Sequence, residues 1–99
     1  MDLSIVVPAF KQANTIQVDL HALTTFLESL HTQYEIILVI DGDIDNTAHQ
    51  VRNNPNLAHI KIIILEKNQG KGYALKTGFS QATGEFIGFI DAGGDIEYS

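Results

Sequence analysis

Short apolar segments alternate with helical segments along the whole chain, and this alternation restricts the fold more than any other feature. β-Branched and other apolar residues dominate 3–7, 35–40, 60–65 and 86–90, which predicts four strands, the first of them ended by Pro8. The second segment is nearly all apolar, as is typical of a strand covered on both faces. Repeated strand–helix order requires a mostly parallel sheet with right-handed crossovers. We therefore predict a three-layer α/β/α, Rossmann-like fold in the order βαβαβαβ.

Helix signals occupy the intervals between the predicted strands. A first helix, capped by Asn14, is predicted from apolar residues spaced three or four apart: Ile16, Leu20, Leu23, Leu27 and Leu30. A shorter helix is predicted from about 45 to 52, because Asn-Asn-Pro follows it and cannot continue a helix. A third helix is predicted over 71–82, with Gly84 just beyond its end.

Length and composition exclude several classes of protein. A chain of 99 residues that is 44% hydrophobic suits one domain. The net charge of −6 leaves no basic stripe for phosphates, so no nucleic-acid partner is expected. Without cysteine there is no disulfide or thiolate site. No apolar run approaches the roughly 20 residues of a membrane span, so we predict a cytoplasmic location, with a longer parent protein at the cytoplasmic membrane face left open.

The predicted strands are followed by residues suited to ligand binding. Pro8-Ala9-Phe10 follows the first strand, Asp41 ends the second, and Asp91 follows the fourth. Parallel strands bring their carboxyl ends to one edge of the sheet, where ligands of such folds bind. We therefore predict a single ligand site at this edge.

The acidic turn after the second strand has three interpretations. It resembles the start of a calcium loop, but Asn46 and Arg52 stand where that loop requires Gly and Glu. Asp41, at the end of the strand, is better placed to bind a nucleobase or ribose hydroxyl. Asp45 fits a cap of the next helix, and Asp43 fits either role.

Two further segments are candidates for phosphate and metal binding. Gly70 and Lys71 open the third helix, where backbone N–H groups and a lysine attract anions. A simple tight turn into the helix is an equally open interpretation. The segment is not a complete GxGxxG dinucleotide-binding motif, because Leu75 stands at the position of the third glycine. Asp91 and Asp95 lie on a glycine-rich turn and can converge on a divalent cation that neutralises a diphosphate. The alternative there is a turn with solvated acids.

Four blocks together resemble the N-terminal part of family 2 glycosyltransferases, the GT-A-fold group that includes dolichyl-phosphate mannosyltransferase-like enzymes. The blocks are IVVPAF at 5–10, VIDGDIDNT at 39–47, NQGKGYALKTG at 68–78, and ATGEF with FIDA at 82–92. They are similar to the family's P-A-Y-N-E turn, V-D-D-G-S-T-D-G-T segment, N-x-G-K-G segment and the strand leading to its DxD motif. The resemblance covers essentially the whole chain.

The resemblance implies a set of contacts to a nucleotide sugar and to Mg²⁺ or Mn²⁺. It implies that Asp91 is the first acid of the DxD motif, near the ribose and the metal-bound diphosphate, and that Asp41 hydrogen-bonds the base. The implied nucleotide-binding residues are Pro8, Ala9, Phe10, Asp41, Gly70, Lys71 and Asp91, and the implied metal ligands are Asp91 and Asp95.

Some positions depart from the family pattern. Lys11 and Gln12 replace the usual Asn-Glu, and Ile40 replaces the first acid of the Asp pair. Gly93 stands where the second DxD acid belongs. Our hypothesis is that Asp95 compensates and shares the ion with Asp91.

The resemblance implies an inverting glycosyltransferase that uses a UDP- or GDP-sugar and an acceptor such as a lipid phosphate or a saccharide. The catalytic base lies beyond residue 99 in this family, so residues 1–99 are expected to be the nucleotide-sugar-binding part of a GT-A domain, without the acceptor part and inactive alone. The alternative is a non-catalytic nucleotide-binding or regulatory module. The loop 8–11 is unlike the glycine-rich, arginine-containing loop of sugar nucleotidyltransferases.

An unpaired edge on the fourth strand predicts a homodimer by edge pairing.

Overall fold

A computed structural model of the chain describes residues 1–91. Within that range the order βαβαβαβ is confirmed, with a short 3-10 helix at Pro55–Leu57 before the third strand. The strands are β1 (Leu3–Ala9), β2 (Tyr34–Asp41), β3 (Lys61–Leu65) and β4 (Phe86–Phe89). The helices are α1 (Ile16–Ser29), α2 (Thr47–Arg52) and α3 (Lys71–Gln81). None of the helices within residues 1–91 has the length and hydropathy of a membrane span.

The described strands form one sheet in the order β3-β2-β1-β4, and every pair is parallel. Leu3 is opposite both Tyr34 and Phe86, while Ile37 is opposite Lys61. The two central strands, β1 and β2, therefore have neighbours on both sides, and all their residues are buried except Leu3 and Tyr34, which are partly buried. Their carboxyl ends, at Ala9 and Asp41, lie side by side.

Helices cover both faces of the sheet, as the three-layer prediction requires. On one face, α1, α2 and the 3-10 helix pack through Leu20, Val51 and Leu57, respectively, against alternate residues of β1 and β2. On the other face, Ala74 of α3 packs with Val6, Ile37 and Val39. Because alternate residues of a strand point to opposite faces, β1 and β2 supply side chains to both layers of the core.

The close packing of α3 on the sheet depends on a glycine. A Cβ atom on Gly78 would lie 2.3 Å from Cγ1 of Val6 and 3.2 Å from Cγ2 of Val39. Any larger side chain must push the helix away from β1. Gly78 is therefore explained by the close approach of α3 to the sheet.

Pro8 does not end β1, contrary to the sequence-based prediction. It lies inside the strand, opposite Val39. The N–H of Ile90 donates to the Val6 carbonyl, so residues of β1 in phase with Val6 direct their polar groups toward β4. Pro8, two residues later, has no N–H with which to extend this ladder, and β4 ends at Phe89, so the proline lies where the pairing of β1 with β4 stops.

The prediction that Asn14 caps α1 is also wrong. Thr15 holds the N-cap position and makes no side-chain cap hydrogen bond. The N–H groups of Thr15 and Ile16 donate instead to the Gln12 carbonyl, at 3.1 and 2.8 Å. The helix thus continues directly from the turn that follows β1.

A buried carboxylate joins the elements at the amino end of the sheet. Glu35 of β2 accepts hydrogen bonds from Ser4 Oγ at 2.5 Å and from the Thr83 N–H and Oγ1 at 2.7 and 2.8 Å, and it pairs with Lys61 Nζ at 2.6 Å. Burial by itself raises the pKa of Glu35, but the bonds from Lys61, Ser4 and Thr83 outweigh it and lower that pKa to about 2. This residue links β2 with β1, β3 and the turn before β4.

Candidate functional site

A cleft of about 450 Å³ opens at the carboxyl ends of the strands. This is the edge where parallel α/β sheets bind ligands. The cleft is bounded by the ends of β1 and β2, the loop before α3, the first turns of α3 and the segment after β4. Its lining residues are Pro8, Ala9, Phe10, Gln12, Asp41, Asn68, Gly70, Lys71, Ala74 and Asp91.

The cleft brings together all seven residues that the sequence predicts as nucleotide contacts. They come from four segments that are distant in the sequence, and the fold places them on one surface. Their role in binding a nucleotide stays a prediction. The second predicted metal ligand, Asp95, and the departure at Gly93 both lie outside the described residues.

Three lining residues are absent from the predicted set. Gln12 and Ala74 gave no chemical signal in the sequence, because one replaces a family acid and the other is a small apolar residue of a helix face. Asn68 is the first residue of the N-x-G-K-G block, so its membership of that block was the available signal.

The end of β1 presents an aromatic ring at the cleft. Ala9 is buried, whereas the Phe10 side chain is 36% exposed. The Gln12 side-chain amide donates to the Phe10 carbonyl at 3.0 Å, and the Lys11 ammonium lies 5.3 Å from the centre of the Phe10 ring. Gln12 therefore stabilises this turn even though it departs from the family pattern. An exposed ring of this kind is suited to stacking on a flat heterocycle.

Asp41 is an anchor for the loop that enters α3. Its carboxylate accepts hydrogen bonds from the Gln69 N–H at 2.6 Å, the Gly70 N–H at 2.9 Å and the Asn68 side-chain amide at 3.1 Å. The residue is only 4% exposed. A carboxylate has about four acceptor positions, so these donors leave about one for a ligand.

The backbone conformation of Gly70 allows the loop to make these hydrogen bonds to Asp41. Gly70 has φ of +93°, in the left-handed region that glycine enters without steric cost. It is the N-cap of α3, and its N–H points back to Asp41 while the chain turns into the helix. The loop therefore delivers Lys71, the first helical residue, to the cleft.

The other two acids of the turn after β2 have structural roles. Asn46, with φ of +63°, holds the N-cap position of α2, so the prediction that Asp45 caps this helix is wrong. Asp45 instead accepts from Thr47 Oγ1 at 2.6 Å and from the Ala13 N–H at 3.2 Å, which joins this turn to the one after β1. The Thr47 hydroxyl is the main cause of a lowered pKa for Asp45. Asp43 accepts from the Ala48 N–H at 3.4 Å, inside the first turn of α2.

An ion pair spans the cleft between α3 and the end of β4. Lys71 Nζ lies 2.6 Å from Asp91 Oδ2, and the two side chains are 54% and 46% exposed. The same ammonium lies 5.6 Å from the centre of the Phe89 ring. No acid occupies the first turn of α3, so Lys71 adds its charge to the positive end of the helix.

Asp91 fits a shared metal ligand, but residues 1–91 do not form a complete metal cage. Among them, no group of three or more His, Asp or Glu side chains is placed to hold an ion. Mg²⁺ is often bound through one or two carboxylates together with the phosphates of a substrate and several waters. The half-exposed carboxylate of Asp91 suits that kind of site.

Solved structures of glycosyltransferases are similar to this fold. S. aureus TarS 1-349 in complex with UDP is 30% identical over 93% of this chain, with a TM-score of 0.69. S. aureus TarS is 31% identical over 92% of this chain, with a TM-score of 0.67. The mannosyltransferase PcManGT from Pyrobaculum calidifontis, in complex with GDP-Man and Mn2+, is 23% identical over 90% of this chain, with a TM-score of 0.62, and supports the fold alone.

The chain spans only part of these proteins. It covers 27% of TarS 1-349, 16% of TarS and 26% of the mannosyltransferase. The α/β fold with its parallel sheet is the Rossmann-like GT-A fold of these neighbours. The sequence profile described as "Glycosyl transferase family 2" matches residues 4–94, nearly the whole chain. The chain therefore belongs to glycosyl transferase family 2.

Proposed function

We propose that this chain binds the nucleoside diphosphate sugar donor of a glycosyltransferase. The observation that carries the proposal is the convergence of the seven predicted contacts, from four separate segments, on one cleft. TarS 1-349 adds support, since it was solved with UDP. In this proposal residues 1–99 are the donor-binding part of a GT-A domain, and the acceptor part belongs to further sequence.

The lining residues divide the cleft into a base region and a phosphate region. Phe10, with Pro8 and Ala9, offers an apolar surface for uracil or guanine. Asp41 holds the loop 68–70 in place and offers its remaining acceptor position to a base N–H. At the other side, Lys71 and the first-turn N–H groups of α3, which have no acceptor within the helix, face the diphosphate.

Asp91 is the proposed protein ligand of Mg²⁺ or Mn²⁺, with Asp95 as its partner ligand. A divalent cation there supplies Lewis-acid neutralisation of the diphosphate leaving group. Asp91 would hold the ion near the phosphate region, because its carboxylate lies beside Lys71 at the opening of α3.

The proposed reaction is a single displacement with inversion at the anomeric carbon, with a lipid phosphate or a saccharide as the acceptor. Its general base lies beyond residue 99, so the 99-residue chain binds the donor without transferring it. Transfer of sugar by the 99-residue chain alone would contradict the proposal that these residues bind the donor without catalysing transfer.

The second candidate is a nucleotide-binding or regulatory module without catalysis. It is favoured by Gly93 in place of the second DxD acid and by the occupation of Asp41 by the loop 68–70. Both candidates bind the nucleotide, so binding alone does not separate them. Mn²⁺-dependent hydrolysis of a labelled UDP- or GDP-sugar by the protein that contains this chain supports the enzyme, and its absence supports the module.

Isothermal titration of the 99-residue chain with UDP, GDP and dTDP and their sugars, with and without Mn²⁺, tests the proposal. We expect one nucleotide to bind, and Phe10→Ala to weaken it about 5- to 150-fold, the range expected for one aromatic–base stack of about 1–3 kcal/mol. Phe26→Ala on α1, which removes an exposed ring outside the cleft, is the matched control. No binding of any nucleotide, or equal losses in both variants, would refute the donor site.

We also propose that two copies of the chain associate through β4. This strand lies at the edge of the described sheet, and Phe86, Ile87 and Phe89 are 72%, 47% and 49% exposed. An apolar edge strand can pair with its own copy about a two-fold axis. Analytical ultracentrifugation should show a concentration-dependent dimer that Ile87→Lys abolishes and that Val18→Lys, on exposed α1 surface, leaves intact. A wild-type monomer at all concentrations would refute it.

A further inference from the structure

The ion pair between Lys71 and Asp91 joins the two groups that the proposed function assigns to different parts of the ligand. Lys71 is assigned to the diphosphate and Asp91 to the cation, yet in this structure they neutralise each other at 2.6 Å. We propose that the pair is a latch, and that the donor and its cation open it by exchange. The cation takes the carboxylate of Asp91, and the diphosphate takes the ammonium of Lys71. This inference rests on the proposed function and adds its regulation.

At Oδ2 of Asp91 the ion and the ammonium exclude each other. A Mg²⁺ ion binds a carboxylate oxygen at about 2.1 Å, so an ion on Oδ2 of Asp91 lies within about 5 Å of an ammonium at the observed position. Two cations at that distance repel each other, and they compete for the same oxygen. Lys71 must therefore move when the ion binds to this oxygen.

The position of Lys71 indicates where the ammonium goes. It is the first residue of α3, where the helix dipole disfavours a cation, and no acid in that first turn compensates. The Phe89 ring lies 5.6 Å from the ammonium, within the range of a cation–π attraction. A diphosphate at the opening of α3 offers Lys71 a stronger partner than a half-exposed carboxylate does.

Exposure sets the strength of the latch. Both side chains are about half exposed, at 54% and 46%. Exposed ion pairs of this kind change an equilibrium constant by a factor of about 1.5 to 5. The pair is thus weak enough for a ligand to open, and strong enough for its removal to be measured.

The test measures two affinities in wild type, Lys71→Met, Asp91→Asn and a matched control. One is the affinity for Mn²⁺ alone, followed by electron paramagnetic resonance, and the other is the affinity for UDP or GDP in the presence of a chelator. Lys76→Met is the control, because Lys76 is exposed on the same helix and outside the cleft, and its loss changes the net charge equally. Circular dichroism verifies that each variant is folded.

The latch predicts opposite changes for the two ligands. Lys71→Met should bind Mn²⁺ about 2- to 5-fold more tightly than the control does, and should bind the nucleotide without metal more weakly. Asp91→Asn should lose Mn²⁺ binding and bind the nucleotide without metal about 2- to 5-fold more tightly, since it frees Lys71 and removes a negative charge. A purely structural ion pair predicts losses for both ligands in both variants.

Three results would overturn the latch: no Mn²⁺ binding in any variant, no gain of Mn²⁺ affinity in Lys71→Met over Lys76→Met, or weaker metal-free nucleotide binding in Asp91→Asn. Failure of the wild type to bind any nucleotide, with or without Mn²⁺, would instead refute the proposed function. The Mn²⁺ comparison between Lys71→Met and Lys76→Met still decides the latch in that case.

Discussion

Glu35→Gln should remove most of the stabilisation that one buried charge gives to the sheet. Glutamine has nearly the same shape, but only one of its two terminal atoms accepts hydrogen bonds. In the wild type, Oε2 receives Ser4 and both donors of Thr83, and Oε1 receives Lys61. The substitution therefore leaves either the Lys61 ammonium or the donors of Ser4 and Thr83 facing an amide N–H₂ group.

The magnitude follows from the lowered pKa. Folding lowers the pKa of Glu35 from 4.5 to about 2, and each unit corresponds to about 1.4 kcal/mol of stability. The full difference is on the order of 3 kcal/mol. The carboxylate is only 3% exposed but Lys61 is 55% exposed, so solvent screens part of the interaction and we expect about 2 kcal/mol.

The sign determines the pH window. Because the folded pKa lies below the unfolded one, the stabilisation is complete above pH of about 4.5 and is lost as pH falls toward about 2. Urea unfolding of both proteins should therefore give curves that differ by about 2 kcal/mol at pH 7 and converge toward pH 2. The difference curve cancels other carboxyl groups, such as Asp45, whose pKa is also lowered. A constant difference from pH 7 to pH 3, or one below about 0.5 kcal/mol at pH 7, would refute this account of Glu35.

Two further substitutions test the packing of α3 and its loop. Gly78→Ala should destabilise the fold by about 1–3 kcal/mol, because the added Cβ overlaps Val6. Gly72→Ala in the same helix should be neutral or should stabilise the fold by up to about 1 kcal/mol, because nothing lies within 4 Å of the added atom. Equal thermal unfolding of the two variants would contradict this. Asp41→Asn should lower the free energy of unfolding in urea by about 1–3 kcal/mol and weaken nucleotide binding, because an amide group cannot accept hydrogen bonds from all the donors of residues 68–70. Unchanged stability would show that these hydrogen bonds do not stabilise the fold.

The layers of the fold are predictable because their signals are local. Apolar β-branched runs mark the strands, and the spacing of Leu20, Leu23 and Leu27 marks the buried face of α1. The location of the site is predictable for a related reason. All the described strands are parallel, so the loops that follow them meet at one edge of the sheet. The errors at Pro8 and Asn14 arise where the outcome depends on the length of a neighbouring strand or on the geometry of one turn.

The polar contacts within the site and the sheet are not predictable in this way. Asp41 binds the backbone of Gln69 and Gly70, 28 and 29 residues away, and the sequence does not reveal that its oxygens are occupied. Glu35 lies near the start of an apolar strand, where an acid usually faces solvent, and its partners Ser4 and Thr83 are 31 and 48 residues away. Only the assembled fold brings such groups together.

The two ends of the sheet thus hold acids with different functions, and this difference can be measured. Glu35 is enclosed by its own donors at the amino end, so its replacement should lower stability without changing nucleotide affinity while the chain is folded. Asp41, at the carboxyl end, anchors the loop that forms the cleft, so its replacement should lower both quantities. Asp91 is half exposed and held by one weak ion pair, so its replacement should change ligand binding with little effect on stability. If Glu35→Gln weakened nucleotide binding as much as Asp41→Asn does, the two ends would be coupled through β2, and the cleft could not be treated as a local site.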